Sequence, residues 1–149
     1  MNLEFMNLAF FYAEKAFLNN EVPIGAVIVK DGEVISYGYN NKEHKNTVLG
    51  HAELIAIKSA EKKLNNWRLD GCDLYVTLDP CPMCASAIKQ SRIANVYSAL
   101  SNSDSNNSEI INKIFLGDNT NPSVNFLSDL QSERAKKKLN SFFEKQRKK

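Results

Sequence analysis

The stretches His51-Ala52-Glu53 and Pro80-Cys81-Pro82-Met83-Cys84 decide the reading of this chain. Together they supply an imidazole, a carboxylate and two thiols within two short segments. Cys81 and Cys84 are three residues apart, which on a helix puts them on one face, one turn apart. Pro80 and Pro82 suit the start and first turn of such a helix, where a missing N–H costs little. A helix N-terminus favours negative charge, lowers thiol pKa and so helps to hold two thiolates. His51 and Glu53 open a second helix, since Leu54, Ile55, Ile57 and Lys58 continue with helical character. The spacing predicts two helix N-termini facing one point, with His51, Cys81 and Cys84 around a metal ion.

Roles follow from charge. One neutral imidazole and two thiolates balance a divalent zinc, and a fourth position left to water separates a hydrolytic site from a closed structural one. Glu53 is then not counted as a ligand, and its carboxylate is free to take and return protons. This H-x-E…P-C-x-x-C arrangement resembles the known signature of zinc-dependent nucleobase deaminases, and the chain reads as one of them. Two other uses of the same residues stay open: a structural zinc closed by His44 or Cys72, and a redox C-x-x-C. A zinc ribbon normally carries a second C-x-x-C, which is missing here, and a redox pair would leave His51 and Glu53 without a role. Cys72 begins the apolar run Cys72–Leu78 and reads as a buried strand residue. His44 sits among Asn and Lys and reads as a solvated loop residue.

The composition is that of a small globular enzyme. At 149 residues the chain is long enough to bury a real core, and 1–149 reads as a single zinc-dependent deaminase domain. Hydrophobic residues make up 43% and charged residues 24%, which argues against a disordered or membrane-embedded chain. Three cysteines, two of them assigned to metal, point to a reducing compartment and away from a disulfide scaffold. The first residues include Glu4 and Glu14, with no basic segment ahead of an apolar one, so no signal peptide is read there. No run is long enough to span a bilayer, and the expected location is the cytoplasm.

Elements alternate along the chain. A helix is predicted over about 3–18, from Phe5, Leu8, Ala9, Tyr12, Ala16 and Phe17 at helical spacing. A hairpin follows, with strands 25–29 and 34–37 joined by the turn pair Asp31-Gly32. Residues 40–50 read as an Asn-rich loop before the His51 helix, which runs to about Leu64. A 72–78 strand, the Cys81 helix and a 94–99 strand come next. Residues 101–108, all Ser, Asn or Asp, read as a loop. A short helix over 109–116, a strand over 124–127 and a basic helix over about 129–149 complete the chain. Strands separated by helices predict an α/β fold, a mixed sheet with helices on both faces.

Charge is unevenly placed. The net charge is +2, yet residues 133–149 hold eight Lys/Arg against two acids, a local +6 that leaves −4 for residues 1–132. Phe142 and Phe143 are interleaved with Lys145, Arg147, Lys148 and Lys149. Basic groups attract phosphate and aromatic rings stack on unpaired bases. The same pattern also describes a surface helix whose two Phe pack on the body while its lysines are merely solvated.

Over nearly its whole length the sequence resembles the bacterial tRNA-specific adenosine deaminases, a family that converts the wobble adenosine of certain tRNAs to inosine. The likeness runs through Glu21-Val22-Pro23-Ile24-Gly25-Ala26-Val27, Asn40, the His51 motif, Asn66-Trp67-Arg68-Leu69, Leu74–Leu78, Ser91-Arg92-Ile93 and Phe142-Phe143 with its basic followers. It implies a three-layer α/β/α cytidine deaminase-like fold with a mixed five-stranded sheet. It also implies one zinc ion per subunit and a homodimer whose two subunits build a site for the tRNA anticodon loop. By the same resemblance Asn40, Pro23, Ile24, Gly25 and Ala52 line the substrate site, and Phe142 and Phe143 contact substrate. An unpaired loop base can be reached without melting a duplex.

This chain departs from the family in places. Leu49-Gly50 stands where Thr-Ala is usual, and Asp79 replaces Glu before Pro80. After Val96, the sequence Ser98-Ala99-Leu100-Ser101-Asn102 replaces a Gly-Ala-Arg-Asp stretch and a Lys/Gly-rich loop that helps the family grip RNA. Zinc chemistry alone does not fix the substrate. A deaminase of a free base or nucleotide (guanine, cytosine or deoxycytidylate) and a non-enzymatic RNA-binding scaffold remain as alternatives.

Overall fold

The computed structural model describes residues 1–102 and 104–148, without the Ser105 side chain. The last residue of the basic tail, Lys149, and Ser103 of the Ser/Asn stretch lie outside the described residues. Helix α1 (Leu3–Leu18) leads into a hairpin of β1 (Gly25–Lys30) and β2 (Glu33–Tyr39), then a one-turn helix α2 (Lys42–Lys45). Next come α3 (Ala52–Leu64), β3 (Cys72–Val76), α4 (Pro82–Gln90), β4 (Asn95–Ser98), α5 (Ser105–Phe115), β5 (Asn125–Leu127) and α6 (Ser132–Arg147). The sheet has the order β2-β1-β3-β4-β5. β1 pairs antiparallel with β2 and β3, whereas β4 pairs parallel with β3 and β5. The sheet is mixed and five-stranded, and the fold is the expected cytidine deaminase-like α/β.

Strand alternation builds the three layers. Ala26, Ile28, Leu74, Val76 and Val96 point to one face and pack with α3, α4 and α5 through Ala56, Ala60, Ile88, Ile111 and Phe115. Val27, Val29 and Tyr75 point to the other, where α1 supplies Met6, Ala9 and Phe10 and α6 supplies Ala135. The helices come close because two strand positions lack side chains. A Cβ at Gly25 would lie 2.1 Å from the Ala9 carbonyl oxygen, and one at Gly38 would lie 2.3 Å from that of Ala52. The hairpin turn is as expected: Asp31 and Gly32 both have positive φ, at 51° and 78°.

Three expectations need correction. Residues 42–45 of the Asn-rich stretch form α2 instead of loop. The Ser/Asn stretch is only in part a loop, because α5 begins at Ser105, four residues earlier than predicted. Its start is set by Asp104, whose carboxylate accepts from Asn106 N–H at 2.9 Å, a cap the composition conceals. Finally, α6 begins at Ser132, not Asp129. Asp129 has a left-handed φ of 59°, and Leu130 and Gln131 N–H donate to the carbonyls of Ser98, the last residue of β4, and Ala99, the next.

Candidate active site

The two motifs open two helices, as their spacing predicts. His51 is the N-cap residue of α3 and Cys81 that of α4, with Pro82 in the first turn. His51 Nδ1 lies 3.6 Å from Cys84 Sγ and 3.9 Å from Cys81 Sγ. All three ligand atoms lie within 4.8 Å of one another, and neither His44 nor Cys72 joins this group among the described residues. Cys72 is buried at the head of β3.

The donor set fits a tetrahedral cation. Zinc bonded to sulfur at about 2.3 Å and nitrogen at about 2.0 Å needs an N···S separation of about 3.5 Å, close to both distances here. The thiols show why a cation suits them. The Cys84 thiol beside Cys81, with backbone N–H groups at the start of α4 and the His51 ring, holds Cys81 down to about 5 against burial. The same sulfur–sulfur contact, followed by burial, pushes Cys84 up. Two adjacent thiolates repel each other, and a divalent cation between them and His51 relieves this.

Glu53 lies in the first turn of α3 and is only 4% exposed. Burial pushes its carboxyl up to about 7, with the Cys81 charge adding to the effect; its own N–H and Cys84 pull the other way. A carboxyl poised near neutrality suits proton transfer in both directions.

Asn40 follows β2, and its side-chain oxygen accepts Ala52 N–H at 2.9 Å. A cavity of about 470 Å³ opens beside it, lined by Asn20, Glu21, Val22, Asn40, Lys42, Glu43, His51, Phe142, Phe143 and Gln146. The structure thus brings Asn40, His51, Phe142 and Phe143 together. It does not bring Pro23, Ile24, Gly25 or Ala52 to this lining. Pro23 and Ala52 are buried, Ile24 packs on the core and Gly25 backs onto α1. Val22 takes the wall position instead.

The two phenylalanines of α6 differ. Phe142 is buried against Phe17 of α1, with ring centroids 6.4 Å apart, whereas Phe143 is 48% exposed. Three basic residues of α6 are engaged with α1. Arg134 lies over Phe10 at 4.1 Å, while Lys138 and Lys145 lie over Phe17 at 4.4 and 5.3 Å. Lys136, Lys137 and Arg147 remain exposed. Packing and solvated charge therefore coexist on one helix.

Glu21 is the residue that sequence reasoning missed. It is 3% exposed, and its two oxygens accept the N–H groups of Glu43 at 3.0 Å and His44 at 2.8 Å. His44 Nδ1 sits 2.6 Å from the same carboxylate, so His44 is an anchored residue and not merely a solvated one. Acids are rarely buried, so no one-dimensional pattern flags Glu21. The one available signal was its place in Glu21-Val22-Pro23.

Comparison with known proteins agrees with this geometry. The family of MafB19-like deaminases matches residues 2–147. The tRNA-specific adenosine deaminase of Bacillus subtilis (strain 168) is 37% identical over 145 residues, covering 97% of this chain and 90% of its own. A structure solved in a study of A-to-I editing by tRNA:A34 deaminases at the wobble position superposes with a TM-score of 0.85 and 37% identity, covering 93% of this chain and 100% of that one. The guanine deaminase of Bacillus subtilis superposes with a TM-score of 0.66 and 39% identity, over 74% of this chain and 71% of its own. The family match over residues 2–147 and the 37% identity across nearly the full length of both chains thus place this chain in the MafB19-like deaminase family, among the tRNA-specific adenosine deaminases.

Proposed function

We propose that this chain hydrolyses the wobble adenosine of a tRNA anticodon loop to inosine, consuming water and releasing ammonia. The observation that carries this reading is the triangle of His51 Nδ1 and the Cys81 and Cys84 sulfurs beside buried Glu53. These three residues would hold one zinc ion per subunit, which when bound supplies a Lewis acid that activates water. Glu53 then takes a proton at its carboxylate, delivers it to adenine N1 and later helps protonate the departing amine. Asn40 has its oxygen committed to Ala52, which leaves its amide hydrogens to donate to the nucleoside. Phe143 offers a half-exposed ring at the cavity mouth for stacking, and exposed Lys136, Lys137 and Arg147 suit phosphate.

The same reading takes residues 1–149 as one deaminase domain working in a cytoplasmic homodimer. Its relatives' names support a tRNA substrate. Among the described residues no helix is long and apolar enough to cross a membrane.

A second reading, deamination of free guanine, is favoured by the likeness to a guanine deaminase. The purified protein, incubated with an anticodon stem-loop bearing wobble adenosine and, in parallel, with free guanine and cytosine, separates the two. Inosine in the RNA with both bases untouched is the expected result. Guanine turnover with unedited RNA would establish the second reading.

A further inference from the structure

Segment 41–50 is a closed unit attached directly to the first metal-ligand candidate. Asn41 N–H donates to the Gly50 carbonyl at 3.0 Å, Thr47 N–H to that of Lys42 at 3.1 Å, and Gly50 N–H to that of Thr47 at 3.2 Å. The two ends touch so closely that a Cβ on Gly50 would lie 2.6 Å from Lys42 Cα. His51 is the next residue. On its far side Ala52 is held by Asn40 and packed against Gly38, so the 41–50 unit is the remaining flank that positions the His51 backbone.

The unit's own sequence does not hold it in place. Asn41, the N-cap of α2, makes no side-chain capping bond, and a single turn of helix is unstable alone. The capping acceptor comes instead from Glu21, twenty-odd residues earlier in the chain, between α1 and β1. Its carboxylate receives two backbone N–H groups of α2 and the His44 ring, three contacts between 2.6 and 3.0 Å. Because α1 is packed on the sheet through its buried face, this acceptor is fixed to the rigid body of the fold.

We propose that Glu21 is a positioning residue for His51: by clamping α2 and His44 it fixes the 41–50 unit and so sets His51 Nδ1 opposite the two cysteine sulfurs. The inference rests on the metal reading of His51, Cys81 and Cys84. Groups that hold a ligand in orientation typically change metal affinity about 10-fold to 100-fold when removed. Glu21 acts through backbone, so the lower end of that range is expected.

The test uses the full chain loaded with cobalt(II), whose visible absorption reports the ligand field, and zinc competition against a chelator of known affinity. Glu21→Ala is expected to weaken zinc about 10-fold and to shift the cobalt bands, while its far-UV circular dichroism stays that of wild type. Glu21→Gln, which keeps one acceptor oxygen, is expected to fall between the two, and it decides the matter if Glu21→Ala does not fold. A lowered melting temperature with unchanged cobalt spectrum and zinc affinity would make Glu21 merely structural and overturn the proposal. A wild-type chain that takes up no cobalt would overturn the metal reading itself, and the clamp's role with it.

Discussion

The Asn40 side-chain oxygen accepts the Ala52 N–H at 2.9 Å, joining the end of β2 to the first turn of the helix that carries His51 and Glu53. One side chain thus serves both as a helix cap and as a wall of the cavity. The two roles separate by substitution. Asn40→Asp keeps the acceptor and should retain stability, yet it lacks the amide hydrogens and should raise KM. Asn40→Ala loses both and should also cost about 1 kcal/mol of stability. Urea titration beside steady-state kinetics reads the pair; an Asp variant with wild-type KM would remove the donor role.

Glu21 gives a pH dependence with a defined sign. Burial pushes its carboxyl up, but the His44 ring and the N–H groups of Glu43 and His44 outweigh this, leaving it below the ordinary value. The ionised form is therefore favoured by folding. Its contribution is fully present above the unfolded pKa of about 4.3 and is lost as pH falls through the lower folded value. The stability difference between wild type and Glu21→Gln should shrink as pH falls below about 4. A gap that widens towards acid would contradict the assignment.

Gly25 is a packing position by geometry. With the Ala9 carbonyl oxygen 2.1 Å from any added Cβ and Ala13 N at 2.5 Å, Gly25→Ala must push α1 off the hairpin. The expected loss is about 1–3 kcal/mol in denaturant unfolding. An unchanged midpoint would mean that α1 has room to shift.

Phe142 and Phe143 should behave oppositely. Phe142→Ala empties a buried contact with Phe17 and should destabilise by about 3 kcal/mol or more. Phe143→Ala alters a half-exposed ring on the cavity wall; it should leave the melting temperature nearly unchanged and weaken binding of a stem-loop substrate. Equal effects of the two on stability would argue against a substrate role for Phe143.

What could be read without coordinates was local. His51, Glu53, Cys81 and Cys84 declare themselves because each motif fits within one helical turn and its residue types suit one metal. The strands at 25–29 and 72–78 were legible because a short apolar run is a property of neighbours. Features made by distant partners were not. Glu21 and His44 meet across twenty-three positions, and nothing in either surrounding marks the other. Val22, not Pro23, Ile24 or Gly25, lines the cavity, and a linear motif does not specify which of several adjacent residues faces it. The early start of α5 is an intermediate case: Asp104 is a good cap, but the Ser/Asn run around it masks the signal.

Zinc content and inosine formation, measured together in the same preparations, put the hydrolytic site to its most direct trial. Wild-type protein should edit the stem-loop in proportion to its bound zinc, lose activity on chelation and regain it when zinc is restored. Glu53→Gln should hold zinc as well as wild type does while turnover falls at least about 100-fold. Undiminished editing by metal-free protein, or near-wild-type turnover by the Glu53 variant, would contradict the roles assigned to His51, Cys81, Cys84 and Glu53.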